Sequence, residues 1–448
     1  MTQTQIDNLL IVKDNPVEFA KIVLGESDED LEPHHRTVLS SVSKNRKTAW
    51  KSGHGVGKTW TSSVSALWFF ATRPSSKTIV TASAWRQVEK QLMPEIMRLA
   101  RHADWGAIGL EGMIEPLKLM LYMKGNPEWF ISAEASDEPM KMEGFHAPNL
   151  FYIVDEGKAV PDGTYESIEG AFTNVEGDIR ELVISTPSAE KAGYFYDIFA
   201  GKRIGFVKHS TSCLDSKRIS QGWIEERKKE WGEDSPMYIT RVLGEFADAG
   251  QDTLFPLAWL ERCVNKQVPD GKKIIGVDVA RYGSDRTVIT KRIGKRVVGQ
   301  TVTTKEDTMQ TVGRVKSIYK QENYEEVRVD VIGVGAGVVD RLLEEDINVV
   351  GINNASSASD TEKFTNVRAE SYWGLRERVR DGDISIPEDD ELLSELTNIK
   401  YKYNSRGQLY IESKEDIKKR GLRSPDKSDS LVLAFYENLS PEPILAFG

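Results

Sequence analysis

The sequence predicts an α/β protein built as two sheet-based domains in tandem, on three observations. The first is KSGHGVGKTW, Lys51–Trp60, a glycine-rich turn between an apolar-edged run, Thr48–Trp50, and an apolar helical pattern, Ser62–Phe70. The second is LFYIVDE, Leu150–Glu156, five apolar residues closing on two carboxylates. The third is a restart of the pattern after Gly271. Three short β-rich runs, a helix, a strand and a further helix follow in order, carrying Asp278 and Asp330, with Asp429 in a later helix.

Length and composition set the bounds. A chain of 448 residues has room for about two or three domains, each with its own core. The formal net charge of −10 argues against a generally basic nucleic-acid coat; a local basic surface remains a way to hold DNA. Cys213 and Cys263 are the only cysteines and lack zinc spacing, which fits a reducing compartment rather than a disulfide framework. The start, MTQTQIDNLLIVKDN, has no basic stretch followed by an apolar block, so it does not read as a signal peptide. No run approaches the roughly 20 apolar residues of a membrane span, and no membrane partner is expected.

In chain order, residues 5–25 read as one helix, Glu26–Glu32 as an acidic linker and Pro33–Ser43 as a second helix. The His34-His35-Arg36 cluster reads equally well as an adenine contact or as a solvated helix start. In the turn itself, Gly53, Gly55 and Gly57 let backbone N–H groups point inward. Ser52, Gly53, His54, Gly55, Val56 and Gly57 then cradle phosphates, Lys58 reaches the β and γ oxygens, and the Thr59 hydroxyl holds Mg²⁺ of Mg·ATP. The usual pattern, G-x-x-x-x-G-K-[ST], has Ser52 in its first position here.

Lys77–Ala82 reads as a strand, Trp85–Arg101 as a helix, and Leu117–Met123 and Glu128–Ala133 as strands. Leu150–Glu156 reads as a buried parallel strand with its acids at the carboxyl end. There Asp155 would hold Mg²⁺ and Glu156 would polarise the attacking water. Loop and acid strand together predict a P-loop NTPase domain of the ASCE type. Glu181–Ser185 is another core strand, and Ser185 and Thr186 at its tip are placed to couple loss of the γ-phosphate to motion. Val207–Gly250, with helices over Gln221–Trp231 and Tyr238–Phe246, reads as a small helical subdomain. The expected organisation is an ATPase domain over 1–250, a connector over 251–268 and a second domain over 269–448.

In the second domain Lys273–Ala280, Arg286–Ile293 and Arg296–Thr303 read as an antiparallel meander. A helix (Asp307–Gln321), a strand (Glu326–Ile332), a glycine turn with its helix, and a strand (Asn348–Ile352) follow. Later come a helix (Asn366–Asp381), a hairpin (Asn398–Glu412), a basic stretch (Lys418–Arg423) and a helix started by Ser424-Pro425. The order β-β-β-α-β-α with Asp278, Asp330 and Asp429 predicts an RNase H-like fold. Three converging carboxylates call for cations, and oxygen donors suit two Mg²⁺ or Mn²⁺ ions. Two such ions about 4 Å apart hydrolyse phosphodiesters. Asp285 and Asp426 read as supporting groups or alternate ligands.

Taken together, the phosphate loop, TASAWRQVEKQLMPEI (Thr81–Ile96), GFHAPNLFYIVDE (Gly144–Glu156), STP (Ser185–Pro187) and GEF (Gly244–Phe246) resemble the large terminase subunit of tailed double-stranded DNA bacteriophages. GVDVARYGSD (Gly276–Asp285), VDVIGVGAGV (Val329–Val338), NVRAESYWGLRERV (Asn366–Val379) and SPDKSDSL (Ser424–Leu431) extend the resemblance through the second half. It implies a packaging ATPase joined to an RNase H-like endonuclease acting on concatemeric double-stranded DNA in the host cytoplasm. Its implied partners are a small terminase subunit, a portal ring on a procapsid, and further copies forming a homo-oligomeric ring. Many members of that family carry an arginine four places before the loop lysine, where this chain has His54. A neutral imidazole replaces a fixed guanidinium poorly, so an arginine from a neighbouring subunit is expected to act, with Arg98 or Arg101 the first candidates. Two other readings stay open at the level of sequence. One is a repair or remodelling helicase-nuclease; the other is a nucleotide-binding assembly protein with an inactive nuclease.

Overall fold

A computed structural model describes residues 1–136, 142, 144–173, 177–189, 191–247, 250, 252–280 and 286–437. The chain divides into two compact units, one of residues 1–225 and 239–247, the other of residues 226–238 and 248–448.

The first unit is built on eight strands: β1 (Lys47–Ser52), β2 (Ser76–Ala82), β3 (Ile114–Pro116), β4 (Met120–Met123), β5 (Asn126–Ala133), β6 (Asn149–Asp155), β7 (Asp178–Ser185) and β8 (Phe206–Thr211). They form one sheet in the order β3-β4-β5-β2-β6-β7-β1-β8. From β5 to β8 every neighbouring pair is parallel, and β3 and β4 add an antiparallel edge. This explains the unbroken apolar run Leu150–Val154, which is buried throughout because a central parallel strand is covered on both faces. β7 lies between the strand that feeds the phosphate loop and the strand that carries the acids, with Ile184 beside Trp50 and Val183 beside Val154. The carboxyl ends of β1, β7 and β6 therefore share one edge, where open α/β sheets bind their ligands.

The second unit holds β9 (Lys273–Asp278), β10 (Thr287–Ile293), β11 (Arg296–Thr303), β12 (Glu326–Asp330) and β13 (Val349–Ile352) in the order β11-β10-β9-β12-β13. The meander is antiparallel, whereas β12 and β13 run parallel to β9, as the RNase H-like expectation requires. Val277 pairs with Val329, so Asp278 and Asp330 leave neighbouring strands side by side. Against β9 lies the helix Asp426–Phe435. Gly276 permits this, since a Cβ there would stand 2.4 Å from the Ser430 carbonyl oxygen and 2.6 Å from the Ala434 nitrogen. The hairpin forms as β14 (Tyr401–Tyr403) and β15 (Leu409–Ile411).

Four elements differ from the sequence reading. The single helix over 5–25 is two, Gln3–Lys13 and Pro16–Ile22, because Asn15 caps the second through Val17 and Glu18 N–H and Pro16 takes its first turn. The helix after β2 widens into a π turn over Val88–Leu92, beside Pro94, which has no N–H to give to residue 90. The stretch expected to be helical from Val207 opens with β8, which pairs with β1 along its length. Its second helix is Pro236–Arg241, earlier than Tyr238–Phe246, because proline favours a helix's first turn.

Candidate functional site

Two polar centres stand at strand ends, one in each unit. In the first, β1 delivers Ser52 and the helix Lys58–Thr72 begins on Gly57, whose φ of 93° only glycine adopts without strain. The Lys58 ammonium lies 2.8 Å from the Gly53 carbonyl, 3.1 Å from Ser52 Oγ and 3.2 Å from Thr186 Oγ1. Burial lowers its pKa, while the nearby Glu156 and Asp155 charges oppose the shift. The N–H groups of Gly53 and His54 are already spent on the carbonyls of Thr211, at 3.0 Å, and Arg241, at 2.8 Å. Inward N–H groups for an anion therefore come from the later part of the loop. A Cβ on Gly53 would meet Cys213 Sγ at 2.5 Å and the Val242 oxygen at 2.7 Å, so the loop is clamped from outside.

His34 and His35 both place Nε2 on the Val56 carbonyl oxygen, at 3.0 and 2.8 Å. Burial pushes the His35 ring down to about 4, which makes it a neutral prop beneath the loop. Of the two readings of this cluster, the structure thus favours neither a base contact nor a solvated helix start. His54 is also held well below its ordinary value, by burial first and then by the positive Arg241, Lys58 and Lys158. The residue in the arginine's place is a neutral ring.

Asp155 ends β6, and burial together with the Glu156 charge raises its pKa. Glu156 follows in the left-handed region, φ 46°, a conformation that costs energy outside glycine. Its Oε2 lies 3.2 Å from Ser185 Oγ, which in turn accepts the Lys158 N–H at 3.3 Å. The tip of β7 thus touches both sides of the centre, Ser185 at Glu156 and Thr186 at Lys58. Arg98 and Arg101 sit on the helix Met93–His102, and Arg98 is clamped to Glu95 through Nε at 2.8 Å and Nη2 at 2.7 Å.

The second centre gathers Asp278, Asp330, Asp429 and Asp426. Three of them share one cation: Lys414 Nζ lies 3.2 Å from Asp278 Oδ2, 2.8 Å from Asp429 Oδ2 and 3.9 Å from Asp426 Oδ1. Asp429 also receives Arg368 Nη1 and the Tyr372 hydroxyl, each at 2.6 Å. Asp330 accepts Asn354 Nδ2 at 2.9 Å and the Ile332 N–H at 3.0 Å. These partners divide the acids. Burial raises Asp278, aided by Asp429, Asp426 and Asp330 and opposed by Lys414. Burial also acts upward on Asp429, but Arg368, Lys414 and Tyr372 outweigh it and hold that carboxyl below its ordinary value. Asp426 is raised by burial, against Ser424, Lys414 and the Arg286 N–H. Asp285 lies outside the described residues.

Among the described residues no three acid, histidine or cysteine side chains stand in a ready-made metal cage, and Lys414 lies among the acids. The chemistry of the donors nonetheless fits a hard divalent ion: all are carboxylate oxygens, and among the described residues the buried Asp426 Oδ1 is faced only by the Lys414 ammonium, at 3.9 Å. Lys414, Arg368, Tyr372 and Asn354 were not legible as site residues. Each meets an acid carried by another element, and no local spacing marks it.

Residues 51–262 match the family model described as "Terminase large subunit, T4likevirus-type, N-terminal". The probable terminase large subunit of Enterobacteria phage P7 is 27% identical, covering 95% of this chain and 90% of that protein. Among solved structures, the large terminase of a thermophilic bacteriophage in complex with ADP aligns with 90% of this chain and 100% of its own, at 12% identity and a TM-score of 0.44. A mutant nuclease domain of the large terminase subunit of bacterial virus Sf6, with manganese and beta-thujaplicinol, aligns with 42% of this chain and 100% of its own, at 21% identity and a TM-score of 0.39.

Proposed function

We propose that this chain, which resembles large terminase subunits along most of its length, is the packaging motor and endonuclease of a tailed bacteriophage. One observation carries the reading. A single chain holds a glycine loop whose lysine faces paired strand-end acids, and a separate sheet whose strand-end aspartates gather around one lysine. We assign the ATPase to residues 1–250, the connector to 251–268 and the nuclease to 269–448. Lys58 and Thr59 bind Mg·ATP with the loop Ser52–Gly57. Asp155 holds the magnesium ion, and Glu156 orients and deprotonates water. Ser185 and Thr186 relay the loss of the γ-phosphate, since each contacts one catalytic side chain.

In the nuclease, Asp278, Asp330 and Asp429 hold Mg²⁺ or Mn²⁺. Two such ions would activate water and stabilise the leaving oxygen. Arg368 and Tyr372 keep Asp429 ionised and fixed. The basic stretch Lys418–Arg423 and the β14–β15 hairpin guide double-stranded DNA through phosphate contacts. The small terminase subunit, the portal of a procapsid and further copies of the chain in a ring are the partners, in the host cytoplasm. No helix among the described residues is long and apolar enough to cross a membrane. With His54 neutral, a neighbouring subunit's arginine completes the ATPase, Arg98 or Arg101 first. Unchanged ring-stimulated ATP turnover with alanine at both positions removes that assignment.

The test of the whole reading is plasmid cleavage and DNA-stimulated ATP hydrolysis by the full chain. Cleavage is expected with Mn²⁺ or Mg²⁺ and not with Asp278→Asn; ATP turnover is expected and not with Glu156→Gln. A chain that turns over ATP and unwinds duplex without cutting it would favour the helicase reading instead.

A further inference from the structure

Glu156 stands in a backbone conformation that a residue with a side chain does not favour. Its φ of 46° and ψ of 45° lie in the left-handed region, and the short 3₁₀ turn Gly157–Ala159 follows at once. Such a conformation persists only where its surroundings over-determine it. Three contacts do so here. The Glu156 N–H donates to Asp155 Oδ1 at 2.8 Å, the Lys158 N–H to Ser185 Oγ at 3.3 Å, and the Tyr165 hydroxyl to the Gly157 carbonyl at 2.7 Å. The first two engage Asp155 and Ser185, which already belong to the nucleotide centre. The third comes from a residue that no step of the proposed hydrolysis uses.

Tyr165 is carried by the helix Asp162–Ala171 and is wholly buried. Its ring stacks on that of Tyr194, with centroids 4.0 Å apart and parallel planes. Tyr194 is anchored in turn. Its N–H donates to Asp162 Oδ1 at 3.3 Å and its hydroxyl to Glu169 Oε1 at 2.9 Å, both on the helix that bears Tyr165. The Tyr165 ring is thus held by its own helix and by the stack, and its hydroxyl meets the chain one residue past Glu156. Burial pushes the Tyr165 pKa far up, so the hydroxyl keeps the proton it donates. The fit at residue 157 is close. A Cβ there would stand 2.7 Å from the Tyr165 hydroxyl oxygen and 2.6 Å from Val183 Cγ1. Ser185 therefore holds the Glu156 carboxylate, at 3.2 Å, while Tyr165 holds the main chain from which that carboxylate springs.

We infer that Tyr165 is the positioning residue of Glu156: by fixing the Gly157 carbonyl it holds the strained turn that sets where the carboxylate meets water. The inference rests on the ATPase reading and sharpens it. Tyr165 acts through the main chain and not on the nucleotide, so its effect falls on the rate of hydrolysis and not on nucleotide affinity.

The experiment is DNA-stimulated ATP turnover by the full chain, with calorimetric binding of a non-hydrolysable ATP analogue beside it. Tyr165→Phe keeps the ring and the stack and removes one hydrogen bond. Its kcat is expected to fall about tenfold, with the KM for ATP and the analogue affinity within about twofold of wild type. Tyr194→Phe removes the other hydroxyl of the same stack, which bonds Glu169 and not residue 157, and is expected to keep wild-type turnover. Tyr165→Phe added to Glu156→Gln is expected to lower the residual single-turnover rate no further, because the carboxylate it positions is gone. A merely structural role would lower turnover in both tyrosine variants, or add its loss to that of Glu156→Gln. Either result overturns the inference, as does unchanged kcat in Tyr165→Phe, or a Tyr165→Phe chain that no longer binds the analogue. If the wild-type chain turns over no ATP, or Glu156→Gln turns it over as fast as wild type, the ATPase reading itself falls.

Discussion

The two centres solve the same problem, a cluster of charge at the end of a sheet, by opposite routes. The phosphate loop draws its lysine, hydroxyl and backbone donors from one contiguous stretch, Ser52–Thr59. Tertiary structure adds support from His35, Thr211 and Arg241. The acid cluster has no contiguous part. Asp278, Asp330, Asn354, Lys414 and Asp429 come from separate elements, Arg368 and Tyr372 share the helix Val367–Arg380, and most of the contacts join residues far apart in the chain. The first centre is therefore expected to fail chiefly at its own residues. The second is expected to be as sensitive to its cationic partners as to its acids.

The sharpest way to break this contrast is to cross the activities. Lys58→Ala is expected to cut ATP turnover at least about 100-fold and leave Mn²⁺-dependent plasmid nicking intact, and Asp278→Asn to do the reverse. Equal loss of both activities in either variant would mean that the centres are not separate.

Next in size is Lys414→Ala. Without metal, Asp278, Asp429 and Asp426 lose their common counter-charge, and stability is expected to drop by on the order of 3 kcal/mol. Mn²⁺ is expected to restore the melting temperature and to bind more tightly than in wild type, because no ammonium competes with it. Thermal melts with and without Mn²⁺ check both expectations.

An effect of comparable size lies under the first sheet. Glu181 is fully buried on β7, and burial pushes it up to about 8, with Lys47 at 4.0 Å only partly opposing. The folded chain therefore keeps a proton that the unfolded chain releases near the ordinary carboxylate range. Between about pH 5 and 8 the unfolded state binds fewer protons, so stability falls as pH rises, by about 1.4 kcal/mol per unit. Glu181→Gln is expected to remove that slope and to gain most over wild type near pH 8. Parallel melting curves for the two proteins across this window would refute it. The smallest effect is His34→Ala. It removes one of two hydrogen bonds to the Val56 carbonyl and costs about 0.5–1 kcal/mol, with a severalfold loss in Mg·ATP affinity by calorimetry.

The same contrast explains what was legible in the sequence. The loop could be read because backbone geometry and phosphate chemistry impose glycine, lysine and threonine at fixed offsets. The acid strand Leu150–Glu156 could be read because a central parallel strand must be apolar up to its end. The order of strands and helices in the second unit could be read for the same reason of periodicity. What stayed hidden was every partner chosen by packing: Lys414 on a short capped helix, Arg368 and Tyr372 on a helix with no marked face, and His35 as a prop. The break at Asn15-Pro16 and the π turn before Pro94 carried visible signals in those prolines. The edge strand Phe206–Thr211 did not, since its side chains are mostly half-exposed or exposed and only pairing with β1 makes it a strand.

The clamp on the phosphate loop has a bearing on how the molecule is made. Gly53 and His54 leave the ribosome well before Thr211 and Arg241, whose carbonyls close on them. Throughout the intervening synthesis the nascent loop has its lysine and glycines but not its outer wall. The loop's outer wall is thus complete only after residue 242 has cleared the exit tunnel. If the loop binds ATP, as proposed, a fragment cut before that point is expected to bind it weakly.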